Sequence, residues 1–139
     1  MPICIYTIVH SEKLDDLHLK CKKDGKVKIE ENRNWATAAT LLQEAQLAEV
    51  TMMIVFAAAE YTRDLIYYGS LESIEINKKT LNKFATTFYV SDLTPFNSPY
   101  LLKTSLIVAS SGKAIPDGYI RPYVICKTPK QLMTRRSTV

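Results

Sequence analysis

The sequence has little of what metal and disulfide sites need. Its three cysteines are Cys4, Cys21 and Cys126, an odd and widely spaced set, and it contains no Cys-x-x-Cys motif or Cys/His cluster. This spacing argues against a zinc knuckle and against a disulfide framework. Each cysteine stands in an apolar or alternating run, where a free thiol behaves as a small hydrophobic side chain. We therefore expect no metal, no cofactor and a reducing, cytoplasmic location.

Long apolar runs are also missing. The longest one, Met52 to Ala59, is far too short to cross a bilayer. The start of the chain carries no basic leader, and no small-residue cleavage site follows its short apolar run. We therefore expect neither a membrane span nor a signal peptide.

Catalytic motifs are scarce. The two histidines, His10 and His18, both lie near the start of the chain and outside any motif that sets a nucleophile against a base. The segment 110–113 lacks the glycine frame of a phosphate loop, and no helix-forming run follows it. Glu72 and Glu75 would point to opposite faces of one strand. We expect no complete catalytic centre.

The chain carries an excess of positive charge, and that excess is confined to its end. The formal net charge is +4, and residues 127–139 contain no acidic side chain but four basic ones, Lys127, Lys130, Arg135 and Arg136. The remaining residues hold as many basic as acidic side chains. A basic tail can contact phosphate groups. The alternative is a solvated chain end without such a role.

Length and composition indicate an ordinary globular chain. Its 139 residues fit one domain and can bury a core without disulfides or metals. Hydrophobic residues make up 47% and charged residues 23%, which are values of folded proteins. We expect a single domain over residues 1–139, with the basic tail at 127–139.

A lysine-rich segment follows the first predicted strand, Ile3–Val9. In residues 17–29 apolar side chains alternate with polar ones, which predicts a hairpin. A three-residue loop, Lys23-Asp24-Gly25, keeps the two faces separate and puts Gly25 where a left-handed bulge residue is needed. The outer face would carry Lys20, Lys22, Lys26 and Lys28. These lysines would either face phosphates or protect an exposed strand from edge-to-edge pairing.

One main helix is predicted over Ala36–Val50. Asn34 stands where a side chain can cap its start. The apolar positions form a single stripe that would pack against a sheet, made of Ala38, Leu41, Leu42, Ala45 and Ala48.

Several strands are predicted after this helix. A nearly continuous apolar run, Thr51–Ala59, predicts a strand buried on both faces, and Leu65–Ile76 predicts a long strand with a bulge near Gly69. Residues 78–85 are expected to form a loop. Further strands are predicted at 86–92, 106–109 and 119–126. The pattern predicts an α+β fold: a mostly antiparallel curved sheet or pseudo-barrel of about six or seven strands with one main helix.

The polar and aromatic residues suggest a binding surface rather than a catalytic one. Planar rings stack on bases, and amides or carboxylates form paired hydrogen bonds with base edges. Trp35 stands where the predicted hairpin meets the helix, so an aromatic wall and free helix N–H groups could share one pocket. The alternative is that Trp35 fills the core at the helix entrance. The full set is Asn32, Asn34, Trp35, Glu60, Tyr61, Tyr67, Tyr68, Ser70, Tyr119, Arg121 and Tyr123.

The order of elements resembles the PUA-like superfamily, which contains the EVE, ASCH and YTH domains. An Asn-Trp pair opens a helix, an apolar strand (52–56) follows, and a strand 65–69 with a glycine continues into 74–76. The resemblance covers about residues 32–90. It implies a pseudo-barrel that binds RNA or modified bases in an aromatic-lined pocket between barrel and helix.

The resemblance also implies roles for individual residues. Trp35 would be the stacking wall, and Gly69 would allow a close approach of backbone and ligand. Asn34, Glu60 and Tyr67 are candidates because they lie next to those motifs.

The sequence thus predicts a non-catalytic binding module for RNA, modified DNA bases or a nucleotide. Trp35 and a tyrosine would stack on a base, Asn34 or Glu60 would bind its edge, and Arg121 with the basic tail would contact phosphate. One alternative is a small hydrolase or nucleotide-processing enzyme, with Glu60 as base and Arg121 as electrostatic clamp. Another is an interaction protein that forms oligomers through an edge strand or an apolar surface. The chain would be a monomer or a small homo-oligomer.

Overall fold

A computed structural model describes residues 3–59, 61–81, 83–96, 106–115 and 123–129. In these ranges the protein is α+β, with six strands in one mixed sheet and two helices. The elements in chain order are β1 (Ile3–Val9), α1 (Ser11–Asp24), β2 (Lys26–Glu31), α2 (Ala36–Leu47), β3 (Met52–Ala58), β4 (Tyr61–Thr80), β5 (Lys83–Pro95) and β6 (Tyr123–Lys127).

The sheet has the strand order β2-β5-β4-β3-β1-β6. Only β1 and β3 pair in parallel, and the other neighbours are antiparallel. All seven residues of β3 are buried, which confirms the strand predicted from the apolar run 51–59. A strand buried on both faces lies at the centre of the fold, and β3 accordingly contributes side chains to both apolar clusters described below.

The predicted hairpin at 17–29 is wrong, because most of that segment is helix α1. Leu14, Leu17 and Cys21 recur at helical spacing and are buried, whereas Leu19 is 65% exposed. The apparent period of two therefore came from one solvent-exposed leucine. Gly25 does adopt a left-handed conformation, with φ 87°, but it ends a helix: its N–H bonds to the carbonyl oxygen of Cys21 at 2.8 Å. The described part of the chain thus contains two helices, where one main helix was predicted.

Helix α2 begins where predicted and ends three residues early. The N–H of Val50 bonds to Ala45 O at 2.8 Å, and that of Glu49 bonds to Gln46 O at 3.1 Å. These two bonds, with Glu49 at φ 58°, form a Schellman motif that closes the helix. The apolar stripe faces the sheet as expected at Ala38 and Leu42, which are buried.

The predicted loop at 78–85 is also wrong, since β4 runs to Thr80 and β5 starts at Lys83. The pairs Ile76–Thr86 and Lys78–Phe84 continue the antiparallel ladder in a polar, mostly exposed ribbon. Polar composition there indicates exposure and not a loop. The bulge predicted near Gly69 is confirmed, because the β4–β5 register shifts between Tyr68 and Ser70.

The sheet is curved. Phe88 of β5 and Tyr123 of β6 both have ring centroids 4.6 Å from that of Trp35. Three strands separate β5 from β6 in the sheet order, which in a flat sheet would place them about 19 Å apart. The sheet therefore wraps around Trp35. It is not closed, because within the described residues its edge strands β2 and β6 do not pair with each other.

Two apolar clusters cover the two faces of the sheet. The first contains the buried side chains of α1 and α2 together with Trp35. The second lies under residues 106–115, where the predicted strand 106–109 forms only isolated bridges, Ile107–Ala114 and Val108–Cys126, and 110–113 is the expected turn. The predicted strand 119–126 corresponds to the edge strand β6 in its described part. No helix among the described residues is long and apolar enough to cross a membrane.

Candidate functional site

Trp35 immediately precedes α2 and is fully buried. Its indole stacks on Phe88 with planes 22° apart and packs against Tyr123 at 39°. Such aromatic contacts bury large apolar areas and hold the ring in a fixed orientation. Trp35 is therefore part of the core at the helix entrance, and a base could stack on it only by displacing one of these two rings.

The indole N–H of Trp35 is the unusual feature of this cluster. Its Nε1 is buried and has no hydrogen-bond partner among the described residues. An unpaired buried donor costs about 1–3 kcal/mol, so most such groups in proteins have a partner. The N–H is thus a buried donor whose hydrogen-bonding capacity no described residue uses.

Asn34 lies beside Trp35 and is exposed. It is one residue before the capping position, yet its Oδ1 accepts a hydrogen bond from the Ala36 N–H at 3.0 Å. This bond orients the amide group, because only the oxygen can accept. The two N–H donors of the Asn34 amide are therefore left for solvent or a ligand.

Tyr123 brings β6 to the same place. Its phenolic oxygen accepts a hydrogen bond from the Ala38 N–H at 3.2 Å, and its ring is half-buried. The first turn of α2 thus has two of its free N–H groups satisfied by side chains. The phenolic hydrogen of Tyr123 has no acceptor among the described residues.

Arg33 adds a positive charge to this entrance. Its side chain is exposed, and its carbonyl oxygen accepts a hydrogen bond from Thr86 Oγ1 at 2.5 Å, which ties the segment to β5. Together with Asn34, Trp35 and Tyr123, it makes the α2 entrance rich in donors. Such a site suits a ligand with several acceptor atoms. Arg33 was not among the predicted site residues, since only the structure shows that its backbone is anchored beside Trp35.

Tyr67 belongs to a different cluster, on α1. Its O–H donates to Asp15 Oδ1 at 2.7 Å, and its ring lies 5.5 Å from that of His18. Burial, then the hydrogen bond and charge of Asp15, raise the pKa of Tyr67 to about 12. His18 Nδ1 is 3.0 Å from the carbonyl oxygen of Leu93, and because a carbonyl only accepts, Nδ1 carries the hydrogen. The described partners of Tyr67 are thus in α1 and not at the α2 entrance.

Gly69 is a site of close approach, but to β5. A Cβ on this residue would lie 2.5 Å from Val90 Cγ1 and 3.0 Å from Ser91 O. The absence of a side chain therefore lets β4 and β5 pack together across the bulge.

The other predicted site residues are mostly outside the described ranges. Glu60 and Arg121 are among them, as are Lys130, Arg135 and Arg136. Lys127 is described: its side chain is exposed at the end of β6, and its N–H bonds to Ile107 O at 2.9 Å.

A groove that the sequence did not indicate lies under the C-terminal half of α2. It has a volume of about 520 Å³ and is mostly apolar, and Glu44 is the one carboxylate among the described residues of its lining. Its walls come from β1, α2 and the start of β3, so no local pattern could have shown it. The lining residues are Ile3, Leu41, Glu44, Ala45, Val50, Thr51 and Met52.

The three cysteines are buried and unpaired in disulfides. Cys4 and Cys126 are opposite each other in the β1–β6 pair, and burial raises the pKa of both thiols, that of Cys126 to about 12. Such thiols are poor nucleophiles at neutral pH. Among the described residues no group of three or more His, Cys, Asp or Glu could hold a metal ion.

Fold and site together define an α+β protein with an open, curved mixed sheet and hydrogen-bond donors gathered at the entrance of its second helix. No family model matches the chain, and no curated protein or solved structure matches it either.

Proposed function

We propose that the protein is a non-catalytic binding module for a nucleobase-bearing ligand, namely RNA, a modified DNA base or a nucleotide, which it binds at the entrance of α2. The observation that carries this proposal is the buried, unpartnered indole N–H of Trp35 inside an aromatic cluster. A ligand acceptor that enters between Asn34 and Tyr123 would satisfy it.

The chemistry of the entrance fits a base. Base carbonyl oxygens and ring nitrogens are acceptors. The Asn34 amide, the Trp35 indole and the Tyr123 hydroxyl are donors that could bind such an edge together. The resemblance to the PUA-like superfamily points to the same class of ligand, and it rests partly on the same Asn-Trp pair. In this proposal Trp35 acts chiefly through its N–H, and stacking would fall to the half-buried Tyr123.

Basic residues close to β6 fit the phosphate groups of such a ligand. Arg33 is exposed next to Asn34. Arg121 precedes Tyr123 by two residues in the sequence. Lys127 ends the same strand, and the basic residues 130, 135 and 136 follow it in sequence. We propose that these side chains contact phosphate and make binding depend on salt.

Asn34→Asp tests this proposal with little disturbance of the fold. An aspartate oxygen can still accept the Ala36 N–H, so the helix start is preserved, but both amide donors are lost. Asn32→Asp is the matched control, because Asn32 is also exposed and receives the same charge two residues away. The probes are a fluorescent single-stranded RNA of mixed sequence, a DNA strand with methylated cytosines, and the nucleoside monophosphates.

The affinity of each variant is measured by fluorescence anisotropy or calorimetry. We expect Asn34→Asp to weaken binding of the preferred probe by about ten- to a hundredfold, and Asn32→Asp to have a much smaller effect. Equal affinities for the two variants would place the ligand elsewhere. A protein that binds none of the probes would contradict the proposed function itself.

A further inference from the structure

Strand β2 forms one edge of the sheet. Among the described residues it pairs only with β5, so alternate backbone N–H and C=O groups along its outer side have no strand partner. Exposed edges of this kind are templates for pairing with another strand, and many proteins block them with charged side chains of one sign. The charges on β2 are of both signs.

The order of these charges makes β2 complementary to itself. Lys26 and Lys28 are exposed in its first half, and Glu30 is exposed in its second half. In an antiparallel pair the first half of one strand lies opposite the second half of the other. Two copies of β2 would therefore place lysines opposite glutamates, which is the favourable arrangement for cross-strand pairs.

The space beside this edge is open. A groove of about 300 Å³ borders it, with α1 on one side and Lys28 and Glu30 on the other. From α1 the groove is lined by Lys13, Asp16, Leu17 and Lys20. A strand added to β2 would enter this groove and contact side chains of both signs, as a second β2 requires.

We propose that the protein forms a two-fold dimer in which β2 pairs antiparallel with β2 of a second copy, centred on Ile29. In this register Ile29 lies opposite its own copy, and Lys28 of each chain lies opposite Glu30 of the other. Val27 and Ile29 stay on the buried face, under α1, and Lys28 and Glu30 stay on the exposed face. The six described strands of each copy then form one continuous sheet.

Other registers are less favourable for physical reasons. A shift by one residue would set the buried face of one strand against the exposed face of the other. Centring the pair on Lys28 would keep the faces apart and would set Lys26 opposite Glu30, but it would place two lysines directly opposite each other at its centre, which is destabilising. The interface is small because β2 has only six residues, so we expect a dimer of micromolar affinity that weakens as salt is added.

The experiment is sedimentation velocity of the full chain from micromolar to sub-millimolar concentration at low salt, with circular dichroism to check folding. Lys28→Glu sets glutamate against glutamate across the interface, and we expect the dimer dissociation constant to rise by about tenfold. Lys28→Glu combined with Glu30→Lys exchanges the two charges. It preserves the pair between these side chains, 3.5 Å apart within one strand, and restores the complementarity between copies.

Lys113→Glu is the control, because Lys113 is exposed in the turn 110–113, close to β6 at the other end of the strand order. We expect this variant to dimerise as the natural chain does, and the exchanged double variant to recover most of the lost affinity. A natural chain that stays monomeric throughout would overturn the proposal. A dimer that tolerates Lys28→Glu would also overturn it, and a double variant that fails to recover would rule out the Ile29-centred register. None of these results depends on the ligand proposed above.

Discussion

The rings of Trp35 and Tyr123 lie with their centroids 4.6 Å apart, and this contact joins the last described strand of the sheet to the start of its second helix. The Tyr123 hydroxyl reinforces the contact by accepting the Ala38 N–H. The contact lies where the sheet curves around the buried indole, beside the donors of Asn34. Variants of these residues and their neighbours test the account from several sides.

Trp35→Phe separates the packing of the ring from its N–H. Phenylalanine keeps an aromatic contact with Phe88 and removes a donor that has no described partner. We expect a loss of no more than about 1 kcal/mol in the free energy of unfolding, because removing the unpaired donor offsets part of the lost packing. Trp35→Ala leaves a cavity and should cost about 3–5 kcal/mol. Urea unfolding followed by circular dichroism measures both, and equal losses would mean that the N–H already has a partner in the fold.

Glu49→Gly should stabilise the protein. Glu49 closes α2 with φ 58°, in the left-handed region that glycine adopts without steric cost. We expect a gain of about 0.5–1 kcal/mol in the free energy of unfolding. Ala48→Gly is the control, because Ala48 has φ −85° and gains nothing from glycine. A Glu49→Gly variant that unfolds more readily than the natural chain would contradict the assignment of this motif.

Gly69→Ala should destabilise the protein by about 1–3 kcal/mol, because the new Cβ would clash with Val90 Cγ1 and Ser91 O. Val90→Ala removes the closer of the two contacts. We therefore expect the two substitutions together to cost less than the sum of their separate costs, which a double-mutant cycle measures. Strict additivity would show that the close approach is relieved in another way.

Two tyrosines with the same direction of pKa shift should behave differently. Burial raises the pKa of Tyr6 and of Tyr67 from 10.0 to about 12, but only Tyr67 has a described hydrogen-bond partner, Asp15. Tyr67→Phe should cost about 1 kcal/mol at neutral pH, whereas Tyr6→Phe should be neutral or stabilising.

The same shifts predict how stability responds to alkali. A phenol with a raised pKa in the fold favours the folded state fully below pH 10, and this contribution is lost as the pH rises towards 12. Unfolding measured across this interval should show a smaller loss for Tyr67→Phe than for the natural chain. Identical pH profiles would contradict the burial of this hydroxyl.

The basic tail makes a prediction about salt. Replacing Arg135 and Arg136 by glutamine should reduce the slope of log affinity against log salt by about 0.7 for each lost contact with a single-stranded ligand. Lys78→Gln, at an exposed position of the β4–β5 ribbon, is the control and should leave the slope unchanged. If the slope of log affinity against log salt is unchanged when Arg135 and Arg136 are replaced, these two arginines do not contact phosphate.

Elements with strong local patterns could be predicted from the sequence. The apolar runs that became β1 and β3 are buried, and the phase change around Gly69 does mark a bulge. The segment that became α1 was misassigned because two patterns fit its apolar residues. Leu17, Leu19 and Cys21 match the period of two of a strand, and Leu17 and Cys21 also match the spacing of a helix. Only the folded structure distinguishes helix from strand here, because it buries Leu17 and Cys21 and leaves Leu19 exposed.

The candidate site could be predicted only in part. The sequence marked Asn34 and Trp35, but it could not show that the indole is buried or that Tyr123 comes from the far edge of the sheet to cover it. It grouped Tyr67 with Trp35, although the described partners of Tyr67 lie on α1. The apolar groove under α2 was missed because three separate elements line it. Contacts between residues distant in the chain are set by the curvature of the sheet, which no local pattern encodes.

The central claim is that the indole N–H of Trp35 forms a hydrogen bond with an acceptor atom of the ligand when the ligand binds. Trp35 is the only tryptophan in the chain, so a proton–nitrogen correlation spectrum contains a single indole N–H signal, which can be followed as the preferred RNA, DNA or nucleotide probe is added. The account predicts that this signal moves downfield on saturation and that its exchange with solvent slows, while Asn34→Asp suppresses both changes at the same probe concentration. A ligand that binds and leaves the signal where it was would contradict the account.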